Sequence, residues 1–384
     1  MTSLYQIYKY LKPERNISMK ITAIETYADI SQCLVRVCTD MGEGWGMTAP
    51  FSADITAQIL HRLAAPQILG KEIQDFKTVG DEIIREGYKF TGSFLARTAS
   101  GIDTALWDLM AKAEGKSVAD FAGRKRTEPV KLYGSSMQRN PQTLQMEADR
   151  LLSLHKKYGF EAFKLHTGIP VGNDQDIYPG CTEDFVQAVR KTLPSGIGLW
   201  VDVNGNFTAE KAIEMGKFLK DNGVDVYEEP CPYWLLHDVK MVRDACAKID
   251  LPIAAGEQDF METQWDQTIS NRVIDIAQPD ILYIGGFSRA LRIAEKCAAA
   301  GIPSTPHTSN RSPIFVFGLH FMSVIDLPQE YMECGIEDDI WQNEAYLNQP
   351  QIKDGKANIL EQKGWGLEIN QEWLKRSLYQ VSKI

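Results

Sequence analysis

The 384-residue chain has no CxxC pair, no run of basic residues and no apolar stretch near the ~18 residues of a membrane span. Its seven cysteines, Cys33, Cys38, Cys181, Cys231, Cys246, Cys297 and Cys334, are odd in number and scattered. That pattern suits reduced thiols and supports neither a disulfide framework nor a structural zinc site. A net charge of −10, from 41 basic against 51 acidic side chains, speaks against nucleic acid as a partner. Such affinity comes mainly from Lys and Arg on phosphates. The opening MTSLYQIYKYLKPERN is too polar for a secretory core, so a cytoplasmic protein is expected, with no membrane partner. Low-complexity sequence is lacking too. With 44% hydrophobic and 24% charged residues, the chain is not disordered.

What is present divides near Pro129. Residues 1–18 read as a loosely attached extension. MKITAIETYA from Met19 and CLVRVCTD (33–40) read as a β-hairpin, and GEGWG (42–46) supplies turn glycines. Helical text follows from Asp54 to Lys116. In GIDTALWDLMAKAEGK, apolar residues at 102, 105, 106, 109, 110 and 113 form one helix face. Residues 19–128 therefore make an α+β unit.

From Pro129 onward short apolar runs alternate with helical segments: VKLYG, AFKLH, GLWVDVN, VDVYEEP, PIAAGEQ, DIAQPD, GIPSTPH and YMECG. Eight such units over about 205 residues predict a TIM-type barrel of short buried strands. A doubly wound sheet fits less well, since no glycine fingerprint follows the first strand.

Several runs end in polar residues that a core would reject. Asp202, Glu228, Glu257, Asp280, His307 and Glu333 recur in steps of 23–29 residues, one βα unit each. They belong at one height around the C-terminal mouth, where barrel enzymes do chemistry. Asp202, Glu228 and Glu257 on consecutive strands would repel one another unless they share a hard divalent cation such as Mg²⁺. Glu229 competes with Glu228, because alternation lets only one of them face inward. Asn204, two residues beyond Asp202, shares its face and could ligate or orient. Lys164 and His166 also share a face. The lysine can neutralise a substrate carboxylate or share in proton transfer, and the histidine can act as a base. Asp280 beside His307 makes a second acid/base pair. Glu333 could bond a substrate oxygen. His61, His155, His237 and His320 lack partners at matching spacing and read as packing or surface residues. Gly285–Gly286 read as a plain βα turn.

With these residues in place the chain resembles the enolase superfamily, mandelate racemase subgroup, from Met19 onward. GIDTALWDL is similar to a capping-domain signature. VDVN, YEEP and AGEQ resemble its three metal-ligand strands, which implies Asp202, Glu228 and Glu257 as Mg²⁺ ligands. QPD and TPH resemble its His–Asp dyad, and YMEC places Glu333 at its eighth-strand acid. FKLHTG departs from the family's Lys-x-Lys, with His166 as the second member. The resemblance implies a modified (β/α)₇β barrel over 129–335, under an α+β capping domain of 19–128 and a returning tail, 336–384. It implies capping loops at Ala28–Gln32 and Trp45–Ser52, with Trp45 near the substrate and 172–180 helping to fill the mouth. It also implies a homo-oligomer. The expected reaction is dehydration of a small-molecule carboxylate, a sugar acid such as an aldonate or aldarate, to a 2-keto-3-deoxy acid. The alternatives are racemisation, epimerisation or cycloisomerisation, and more remotely a non-catalytic sugar-acid sensor.

Overall fold

The computed structural model describes residues 19–139, 144–337 and 343–384; the extension expected over 1–18 lies outside them. The hairpin is as expected. Strands β1 (Met19–Ala28) and β2 (Cys33–Thr39) pair antiparallel, with Ala28 opposite Cys33. Asp29 closes the turn, its Oδ1 accepting from Ser31 N and Gln32 N at 2.7 and 2.8 Å. β3 (Gly42–Met47) adds to β2, and the short β4 (Glu72–Ile73) to the start of β1.

GEGWG differs from expectation. Gly42, at φ +137°, does turn the chain, but Gly44 and Gly46 lie inside β3. A Cβ on Gly44 would land on the backbone at Ala105, and one on Gly46 on Gly101 and Ala105. The absent side chains let β3 lie directly on the helix Ser93–Ala113.

That helix explains the GIDTALWDL text, because each polar group on it has a buried task. Thr104 Oγ1 accepts from Met47 N, and Asp108 accepts from Trp45 N and Trp365 N, so the outer edge of β3 is satisfied by side chains. Asp103 accepts from Ser288 N, and Trp107 Nε1 donates to Ser288 Oγ, at the start of the helix Phe287–Ala299. The helix is buried on nearly all sides rather than on one stripe.

β5 (Val130–Ser136), β6 (Ala162–His166), β7 (Gly198–Asp202), β8 (Val226–Glu228), β9 (Ile253–Ala255) and β10 (Ile276–Ala277) pair in parallel in chain order. β11 (Met332–Gly335) closes the ring on β5. In the GIPSTPH run only Ser304 bridges, to Ala277 and Pro328. Pro303 and Pro306 flank it and have no N–H to extend a ladder. The chain thus forms the modified barrel with an α+β cap.

Beyond β11, the hairpin β12 (Ile352–Lys353) and β13 (Lys356–Ala357) pairs with β5 at the barrel. β14 (Leu378–Lys383) then runs antiparallel to β1 in the first sheet. Asp81, in the helix Val79–Glu86, pairs with Arg289 and Arg292 at 2.6 and 2.8 Å and ties cap to barrel. Among the described residues no helix is long and apolar enough to cross a membrane.

Candidate active site

Parallel register sets His166 opposite Asp202 and Asp202 opposite Glu228, one row at the C-terminal ends of β6, β7 and β8. Asp202, Glu228 and Glu257 are buried, and one carboxylate oxygen from each lies within 4.8 Å of the others. Glu228 Oε2 has no hydrogen-bond partner. Burial pushes Glu228 well above the usual carboxylate range; Lys164 opposes this, and Asp202, Glu333 and Glu257 add to it. Three hard oxygen donors with an unused buried lone pair fit Mg²⁺.

Glu229 corrects the alternation argument. β8 ends at Glu228, and Glu229 takes φ +42°, so its side chain joins the acids as well. Its Oε2 is 3.4 Å from Asn204 Nδ2, and burial with Glu257, Asp202 and Glu228 raises it. Alternation holds only for extended backbone. Asn204, also left-handed, orients Asp202 through its backbone N and Nδ2 at 2.7 and 3.0 Å.

Lys164 is fully buried, with Nζ 2.6 Å from Glu228, 2.8 Å from Glu333 and 3.8 Å from Asp202. Burial alone would lower it, but these carboxylates outweigh burial and keep it charged. The same lysine, with His307, brings Glu333 down to about 2 against the effect of burial. Glu333 Oε2 also accepts from Thr308 N at 2.8 Å. His166 has Nδ1 2.7 Å from the Ser136 carbonyl and Nε2 3.1 Å from Asp202 Oδ2.

Across the mouth, His307 Nδ1 is 2.7 Å from Asp280 Oδ2, and its Nε2 is 3.4 Å from Glu257. Burial would lower His307, yet Glu257, Glu333 and Asp280 hold it well above the normal imidazole range. Asp280 is fixed by Leu282 N and Tyr283 N, both donating to Oδ1.

The structure therefore gathers Lys164, His166, Asp202, Asn204, Glu228, Glu257, Asp280, His307 and Glu333. It does not bring Trp45 to them. With Gly44 and Gly46 on the helix side of β3, Trp45 faces away, 5.7 Å from Tyr27 and 5.6 Å from the Arg36 guanidinium. The expected capping loops do meet each other: Phe51 N donates to Ser31 O and Ala53 N to Ile30 O, leaving Ile30 78% and Phe51 66% exposed. The 172–180 segment is pinned to the loop after β7, with Asp174 accepting from Thr208 N and Asn206 Nδ2 donating to Gln175 O. His61 bonds Thr26 and Ser382, His155 the Phe160 carbonyl, and His320 accepts from Ala119 N, so all three serve packing.

Two arginines were not singled out in the sequence. Arg139, beyond β5, donates to Asn204 Oδ1 and to the Thr167 and Gly168 carbonyls. Arg97, on the capping helix, lies 3.4 Å over the Tyr283 ring. A lone Arg in a loop or on a helix carries no periodic signal.

Residues 147–373 match the family model described as enolase C-terminal domain-like. Residues 8–123 match that of the mandelate racemase / muconate lactonizing enzyme N-terminal domain. A crystal structure from Roseobacter denitrificans, provisionally described as a racemase, is 42% identical with a TM-score of 0.91, over 95% of this chain and 100% of that one. D-galactarolactone cycloisomerase from Agrobacterium fabrum is 29% identical over 72% of each chain. L-talarate/galactarate dehydratase from Salmonella typhimurium is 28% identical over 80% of this chain and 72% of its own.

Proposed function

The chain belongs to the mandelate racemase / muconate lactonizing enzyme family of the enolase superfamily, and from that membership we propose that it dehydrates a sugar acid, an aldonate or aldarate, to a 2-keto-3-deoxy acid. The observation that carries this reading is a pair of imidazoles, from different barrel units, facing one buried acid cluster from two sides. The Ser136 carbonyl can only accept, so His166 presents an Nδ1 proton to it and turns Nε2 into the mouth, 3.1 Å from Asp202 Oδ2. His307 Nδ1–H donates to Asp280 Oδ2, and the acids beside Nε2 favour a proton there too. We assign His307, paired with Asp280, as the acid and His166, across the mouth from it, as the base.

Asp202, Glu228 and Glu257 would hold Mg²⁺, which would supply positive charge where negative charge grows as the α-proton leaves. Lys164, held charged, adds to that field. His166 Nε2 removes the α-proton. The released electron pair forms the Cα–Cβ double bond as the β-hydroxyl takes the His307 proton and departs as water. The resulting enol tautomerises to the 2-keto acid. Asn204, itself held by Arg139, keeps Asp202 oriented.

The similarity to L-talarate/galactarate dehydratase supports dehydration. The Roseobacter denitrificans structure and the cycloisomerase favour a second reading, in which the same two imidazoles exchange a proton across the α-carbon or open a lactone ring. A sugar-acid library incubated with Mg²⁺ separates them. Dehydration yields 2-keto products, and isomerisation yields α-proton exchange in deuterated buffer without them. Neither outcome with any sugar acid would overturn both.

A further inference from the structure

We infer that Arg97 binds a second carboxylate at the far end of the substrate, so that the preferred substrate is a dicarboxylic sugar acid, an aldarate, rather than an aldonate. This rests on the dehydration reading and narrows it. Arg97 rises from the first turns of the helix Ser93–Ala113 and is half-buried. Its guanidinium carbon lies 3.4 Å over the ring centre of Tyr283, and that ring lies 5.9 Å from His307. Its Nη2 is 3.5 Å from Gln258 Oε1, and Gln258 in turn donates to Glu257 at 2.9 Å. The arginine thus stands on the wall that carries the proposed acid and one proposed metal ligand.

Among the described residues no carboxylate forms an ion pair with it. Other arginines of the cap and barrel are committed: Arg36 to Glu25, Arg289 and Arg292 to Asp81 and Glu262, Arg139 to Asn204 and two carbonyls. On the loop of Gln258, Glu257 and Asp259 are bonded by Gln258 and Gln264. A half-buried guanidinium without a counter-charge is costly unless a ligand supplies one. Its planar fork suits a carboxylate bidentately, and the stack on Tyr283 fixes the plane of the fork. A hydroxymethyl end, as in an aldonate, would leave that fork without a counter-charge.

The test compares hexarates with the matching hexonates, using wild type, Arg97→Gln and Arg97→Lys. The wild type is expected to favour its best aldarate, and Arg97→Gln to lower the aldarate-to-aldonate ratio of kcat/KM by about 100-fold, mainly through KM. Arg97→Lys restores part of it. A wild-type preference for aldonates, or a Gln variant that leaves the ratio unchanged, overturns the inference while dehydration stands. If wild type dehydrates neither class, the parent reading fails, and calorimetry with the hexarates decides. Equal binding to wild type and Arg97→Gln then refutes the Arg97 site as well.

Discussion

At the scale of single residues, the mouth is a question of charge neutralisation. Lys164 touches Glu228 and Glu333 at once, so its ammonium serves as an internal counter-ion and leaves little room for a role as base. Glu228 is directly within the triad, while Glu229 reaches it only through Asn204 and through space. Glu228→Gln is therefore expected to abolish measurable Mg²⁺ binding by calorimetry. Glu229→Gln should weaken it by about 10-fold, at the mild end for groups that orient ligands. Equal losses would place Glu229 among the ligands. For the imidazoles, His166→Asn and His307→Asn should each lose roughly 10²–10⁴ in dehydration. Only His307→Asn should retain slow α-proton exchange in deuterated buffer, and exchange surviving in His166→Asn would reverse the assignment. The spacing of Asp202, Glu228, Glu257, Asp280, His307 and Glu333 was legible in sequence because parallel strands repeat at one βα unit. That Glu229 faces the acids together with Glu228 was not, because a left-handed backbone at a strand end leaves no mark in a pattern of alternation. Arg139 and Arg97 were hidden for a different reason: their partners are distant in sequence.

At the scale of elements, β3 lies directly on the helix Ser93–Ala113 through Gly44 and Gly46. The text GEGWG was read as turns because glycine has two uses, positive φ and close approach, and sequence does not say which applies. Gly42 serves the first and Gly44 and Gly46 the second. Gly46→Ala should destabilise the protein by about 1–3 kcal/mol or more, since backbone rather than a flexible side chain meets the new methyl. A thermal midpoint unchanged from wild type would show that β3 can lift off the helix at no cost. The run GIPSTPH was legible as a barrel unit, but its pairing is cut to the bridges of Ser304, where Pro303 and Pro306 lack the N–H that a longer ladder needs.

For the molecule as a whole, cap and barrel are joined by buried polar contacts, among them Asp103 with Ser288. Burial raises Asp103 from 3.8 to about 6, against the Ser288 hydrogen bonds. Between those values the folded protein holds a proton that the unfolded chain has lost. Stability contributed there falls as pH rises and is level above about pH 6. The thermal midpoint of Asp103→Asn, relative to wild type, should accordingly climb from pH 4 to 6 and then plateau; a flat difference would remove Asp103 from the cap–barrel linkage. One more consequence follows from β14 lying beside β1. During synthesis β1 precedes the other described strands, yet the neighbour for its outer edge leaves the ribosome about 350 residues later, by the register of Ala28 with Leu378. The edge stands open through translation of the entire barrel, as a template for stray pairing. Ribosome-bound chains halted at residue 335 should therefore leave β1 open to protease, and chains extended past residue 384 by a linker long enough to clear the exit tunnel should protect it. Equal protection in both would mean that the cap closes without its last strand.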